Sequence, residues 1–336
     1  MKQEAIGHGL AVTLAALMLA GCDGALSHIE TQKRLDAAFA GFPPVLDDPV
    51  LSRYRAAYLT DKAAYDANPD AVLGLDSPAR ACDLPEDTRH ALADRGFQLR
   101  VYERNPGFAD YMAKHGQGFG TPVYDRVTVR RIDGDCSGGA LDGPADIVMT
   151  YLRLTPHGQL GSHKVYEMVV RESCTFRGSL RDGPCKRIVR TRHWSGQFTK
   201  DGRLVTAPRA TYETMRALNA PGLTEPNDED FITTTTRFDY GPYAAGREAG
   251  PGVAFETTPI AGDGVNAVEN NTLTRQTLPD GRVRYTEYMG GTVKATYRLR
   301  GGVPDGELVW SVPQPGGEQR ECFVDGEKVL TRNCGA

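Results

Sequence analysis

Gly139-Ala140-Leu141-Asp142-Gly143-Pro144 recurs, with one insertion, as Gly178-Ser179-Leu180-Arg181-Asp182-Gly183-Pro184, and an Ile-Val pair follows each copy. Asp-Gly supplies the positive backbone angles of a tight hairpin, and the apolar pair after it starts a strand. The dipeptide returns as Asp133-Gly134, Asp201-Gly202, Asp280-Gly281, Asp305-Gly306 and Asp325-Gly326, between runs rich in Val, Ile, Thr, Tyr and Arg. Turn signals about every dozen residues predict successive antiparallel hairpins, a meander with these Asp-Gly pairs at its turns.

Upstream of Pro122 the pattern changes to helical. Ser27 and Glu30 have capping-box spacing, and Ile29, Leu35, Phe39 and Phe42 follow on one side until Gly41 and the Pro43-Pro44 pair stop the helix. Asp48 caps a second helix with Pro49 at its first position and an apolar stripe of Leu51, Tyr54, Tyr58 and Tyr65. Shorter helices are expected over about 85–95 and 106–115, closed by Gly96 and Gly116. The expected fold is mainly β: an antiparallel meander over 121–336, with a small helical part over 22–120.

Residues 1–21 read as a signal peptide. The apolar run Leu10 to Ala20 is about half the length that spans a bilayer. It ends in Leu19-Ala20-Gly21-Cys22, which resembles the lipobox of bacterial lipoproteins. That resemblance implies lipidation of Cys22, cleavage before it, and a chain anchored to a bacterial cell membrane and facing the periplasm. Asp23 resembles an inner-membrane retention signal, and inner and outer membrane stay open.

Seven cysteines less Cys22 leave an even set for an oxidising compartment. Short loops favour Cys174 with Cys185 and Cys322 with Cys334, leaving Cys82 for Cys136. A zinc site is the competing reading, but no CxxC pair exists.

Gly241, Tyr243, Gly246, Gly250 and Gly252 resemble the MORN repeat, with weaker copies at Gly134, Gly139 and Gly143, and at Gly302 and Gly306 before Trp310. Asp239 stands where that pattern has an aromatic residue. The resemblance implies stacked hairpins, with glycines at turns and close approaches, in a scaffold or interaction module that in some members is linked to lipid.

A net charge of −4 gives no global pull toward nucleic acid. Locally, 171–209 holds ten Lys or Arg against Glu172, Asp182 and Asp201. On a strand, Lys186, Arg190 and Arg192 share one face, a candidate anion-binding set beside the plainer reading of a solvated strand. Asp133, Asp135 and Ser137 match half of an EF-hand loop, but Pro144 replaces its closing Glu. No metal motif frames His157, His163 and His193, and neither Ser137 nor Ser195 has the glycine before it that a nucleophile elbow needs. Glu225, Asp228, Glu229 and Asp230 form an acidic cluster of a kind that is usually a solvated loop. No cofactor or metal is expected. The reading is a membrane-anchored scaffold or binding module for a protein partner or an anionic envelope polymer or surface. The alternative is an envelope hydrolase in the insertions, which requires His193, the acidic cluster and a hydroxyl residue to converge.

Overall fold

The computed structural model describes residues 33, 36–37, 39–78, 80–96, 123–157, 162–197, 233–262, 265–301, 303–311, 318–330 and 334. Cys22, Asp201-Gly202, Gly302, the acidic cluster, the start of the helix expected from Ser27 and the helix expected over 106–115 lie outside them, while Lys33, Asp36, Ala37 and Phe39 of the first are helical. The helices that follow, among the described residues, are α1 (Pro49–Ala67), α2 (Pro69–Val72) and α3 (Glu86–Gly96). The strands are β1 (Arg80–Ala81), β2 (Val123–Asp135), β3 (Asp142–His157), β4 (Ser162–Arg177), β5 (Leu180–Gln197), β6 (Thr233–Ala244), β7 (Arg247–Glu248) and β8 (Gly252–Gly262). They continue as β9 (Val265–Thr277), β10 (Val283–Met289), β11 (Thr292–Arg300), β12 (Val303–Pro304), β13 (Gly306–Ser311), β14 (Glu318–Val324) and β15 (Glu327–Val329). All join one antiparallel meander in which each long strand pairs with the next in sequence.

Period-two alternation divides the residues between two faces. Ile147, Met149, Val170 and Val189 point one way and pack with Leu92 of α3. Val148, Val169, Ile188, Phe238 and Phe255 point the other way and meet Leu51, Tyr58 and Tyr65 of α1. Both faces of the central strands are therefore buried, which is why Ile147-Val148 and Ile188-Val189 are apolar pairs and not alternating ones. The stripe on α1 is core, as its spacing predicts. Tyr58 stacks on Phe255 at 4.3 Å and meets Phe238 edge-on at 5.2 Å. Asp48 caps the helix, accepting from the Val50 and Leu51 amides at 2.8 and 3.1 Å.

Disulfides join Cys82–Cys136, Cys174–Cys185 and Cys322–Cys334. The first ties the segment after β1 to the end of β2, the second links directly opposed residues of β4 and β5, and the third ties the C-terminal tail to β14.

Three of the Asp-Gly pairs depart from the expected turn position. Asp142-Gly143 and Asp182-Gly183 lie within β3 and β5, just past the tips, and Asp133-Gly134 lies within irregular pairing of β2. The tips themselves are Gly178-Ser179, Ala245-Gly246 and Asp325-Gly326, each with two positive φ angles. Asp325-Gly326 and Asp280-Gly281 therefore stand at turns as expected, whereas Asp142 and Asp182 serve as clasps for the next tip. Ser179 N donates to Leu141 O at 2.8 Å, and Gly178 N to Asp142 Oδ1 at 2.6 Å. One hairpin on, Gly246 N donates to Arg181 O at 2.8 Å, and Ala245 N to Asp182 Oδ1 at 3.4 Å. Gly326 N repeats the first bond, to Pro304 O before Asp305, at 2.8 Å. A further copy, Glu248-Ala249-Gly250-Pro251, has Ala249 in place of the aspartate, and Ala249 N turns back to Pro242 O at 2.9 Å. Each clasping carboxylate satisfies one amide, so Asp142→Ala should lower stability by about 1 kcal/mol, read as a shift of the urea midpoint at unchanged slope.

Candidate functional site

Two places concentrate polar chemistry, one on each face of the central sheet. On the α3 face, Glu172 is fully buried and accepts from Arg181 Nε at 2.9 Å, Arg181 Nη2 at 2.5 Å and Arg187 Nε at 2.8 Å. Burial alone would raise its pKa, but the two guanidiniums outweigh that and hold it below the ordinary glutamate value. Asp239, also buried, has Arg187 at 3.5 Å and Arg237 and Arg275 each at 3.8 Å. Arg275 continues to Glu248 at 3.1 Å, and Arg237 to Glu256 at 3.8 Å. Among the described residues, four guanidiniums thus meet four carboxylates across β4 to β9.

This network accounts for two of the glycines over 241–252. A Cβ on Gly241 would collide with the Arg275 guanidinium, and one on Gly252 would lie 2.5 Å from its Cζ. The two glycines open a slot for Arg275, whose guanidinium lies 5.6 Å from the Tyr243 ring. Asp239 faces the buried Arg187 and Arg275 and the partly buried Arg237. Gly246 and Gly250, with φ of 78° and 64°, serve the turn.

On the α1 face, a groove separates α1 from β4, β5 and β6. Its larger cavity, about 490 Å³, is lined by Tyr54 and Thr60 of α1 and by Ser173, Lys186 and Tyr240 of the sheet. A second, about 260 Å³, lies toward α2 and is lined by Val72, Arg171, Ser173, Lys186 and Ile188. Asp61 borders both. Its carboxylate accepts from Lys186 Nζ at 3.1 Å and from the Tyr240 hydroxyl at 2.8 Å. Burial, then that bond to Asp61, drives the Tyr240 pKa well above its ordinary value. Arg171 straps the layers together, donating to Asp146 at 3.1 and 2.7 Å and to Val72 O at 2.8 Å.

Lys186, Arg190 and Arg192 share the α1 face of β5, as alternation predicts. Each has a carboxylate: Asp61 for Lys186, Asp70 for Arg190 at 2.9 Å, and Glu167 for Arg192 at 3.3 Å. Lys186 and Arg190 flank Ile188, while Arg192 lies further along the strand, opposite Glu167. The sequence reading missed Arg171, which is the cross-strand partner of Ile188. His193 lies 5.6 Å from the Tyr166 ring. Among the described residues no three His, Cys, Asp or Glu side chains are placed to hold a metal ion, Asp133 and Asp135 included. Comparison with family models, curated proteins and solved structures finds no match.

Proposed function

We propose that the chain is a bacterial envelope lipoprotein, anchored through Cys22, whose degenerate MORN-like meander is a scaffold presenting a rigid row of hairpin tips to a protein partner. The observation that carries this reading is the arrangement of the two ends of the sheet. The clasped tips at 178–179, 245–246 and 325–326 share one end. The segment leading in from the anchor packs at the other end, where Gly291 N of the β10–β11 turn donates to Ala40 O at 2.7 Å. The disulfides support an extracytoplasmic location. Chained clasps hold the tips in fixed relation, and rigid presentation limits the ordering entropy lost on binding.

A photo-crosslinking residue at Arg177 or Arg247, both exposed near the tips, is expected to give a discrete protein adduct in intact cells. The same residue at Leu59, on the outer side of α1, is expected to give none. Equal labelling at the three positions, or none near the tips, overturns the reading.

A further inference from the structure

We infer that the cavity between α2 and strands β4 and β5 binds a phosphate-type dianion. This deepens the binding reading above by naming a ligand chemistry, and it requires neither the tips nor the lipid. Three cations surround one aliphatic side chain: Lys186 and Arg190 sit two residues either side of Ile188 on β5, and Arg171 lies directly across on β4. Strand geometry places Arg171 diagonally across from Lys186 and from Arg190, about 7–8 Å from each, while Lys186 and Arg190 are about 13 Å apart along β5. One small anion reaches more than one of them.

The cavity of about 260 Å³ beside Ile188 is lined by Arg171, Lys186 and Ser173, with Asp61 the one lining carboxylate among the described residues. At roughly 30 Å³ per water, it has room for a tetrahedral oxyanion in place of solvent. Donors outnumber the acceptors engaged. Among the described residues Lys186 gives one of its three N–H groups to Asp61, and Arg190 uses only Nη1, on Asp70. Each of Asp61, Asp70 and Asp146 accepts from one of the three cations and from no second one. A phosphate group, with three or four oxygens, bridges them as a single aspartate does not.

Asp70 is the carboxylate that gives way. Its side chain is 54% exposed on the four-residue α2, so its pair with Arg190 is a weak, exchangeable surface pair. The same chemistry occurs in free phosphate and in a phosphomonoester lipid headgroup.

Calorimetric titration of the full chain at low ionic strength tests this, with inorganic phosphate in one arm and soluble dihexanoyl phosphatidate in the other. Saturable binding is expected, weakened by about tenfold in Lys186→Met, the worth of one charge-assisted hydrogen bond, and by about threefold in Arg190→Met, whose charge stands beyond the cavity lining. Asp70→Asn should tighten it by about threefold by removing the competitor, while Asp66→Asn on α1, paired with Lys62, leaves it unchanged. Tighter binding of phosphatidate assigns the site to a headgroup, and equal binding assigns it to the phosphate group alone. No saturable binding of either probe overturns the inference. So does an affinity that ignores Lys186→Met, or that responds alike to Asp70→Asn and Asp66→Asn. Thermal melts of the variants separate lost binding from lost folding.

Discussion

Replacing Glu172 with glutamine should destabilise the protein by about 3–5 kcal/mol, because it takes from two buried guanidiniums the carboxylate they share and leaves Arg187 with Asp239 at 3.5 Å. Arg181 and Arg187 are 1–2% exposed at their side chains, so water cannot take over the lost charge. By contrast, Arg320→Met removes a pair with Glu307 whose arginine is 54% exposed, and should cost less than about 1 kcal/mol. Urea midpoints at neutral pH decide between these values.

The same carboxylate sets an acid limb. Its pKa is depressed in the fold, so the unfolded chain takes up the proton first as pH falls. The stabilisation is complete above the ordinary glutamate value and is lost as pH falls through the lower folded value. Glu172→Gln should abolish that share of acid sensitivity. An unchanged acid limb would assign it to other carboxylates.

Gly290→Val should produce the second large loss, about 2–4 kcal/mol from backbone strain and overpacking together. Gly290 has a φ of 58°, and a Cβ there would strike the Ala40 carbonyl oxygen and approach Phe39 C to 2.6 Å. These are backbone atoms, so rotamer changes cannot relieve the contact. The damage should concentrate where 39–41 pack against the β10–β11 turn. Amide exchange should accelerate at Gly291, which donates to Ala40 O, while Val170 and Val189 in the central sheet stay protected. Uniform acceleration would show that this contact is not a separable joint.

The sequence makes some of this architecture plain and hides the rest for definite reasons. Asp48-Pro49 and the tyrosine spacing after it locate α1 because capping and helical periodicity are local. Short loops identify Cys174–Cys185 and Cys322–Cys334 for the same reason. The role of Asp142 and Asp182 is hidden because Asp-Gly is also the commonest sequence of a tight turn, and only the position of the following tip distinguishes a turn from a clasp. Glu172, Arg181 and Arg187 lie in a strongly basic stretch that reads as solvated. Their burial depends on carboxylates and guanidiniums meeting across strands. Alternation does place Lys186 and Arg187 on opposite faces, yet it gives no hint which face is covered by a helix and which by charge. Arg171 escapes notice because its partners, Asp146 and Val72, are far from it in sequence.

The anchor is the central claim, and the mature N-terminus tests it most directly. Intact-mass and peptide mass spectrometry of the chain expressed in a bacterium with a lipoprotein pathway should find a protein that begins at Cys22 and carries diacylglycerol on its thiol. Cys22→Ser should abolish both the lipid and the cleavage. A chain that keeps residues 1–21, or one that starts elsewhere with a free, alkylatable Cys22, would contradict the account.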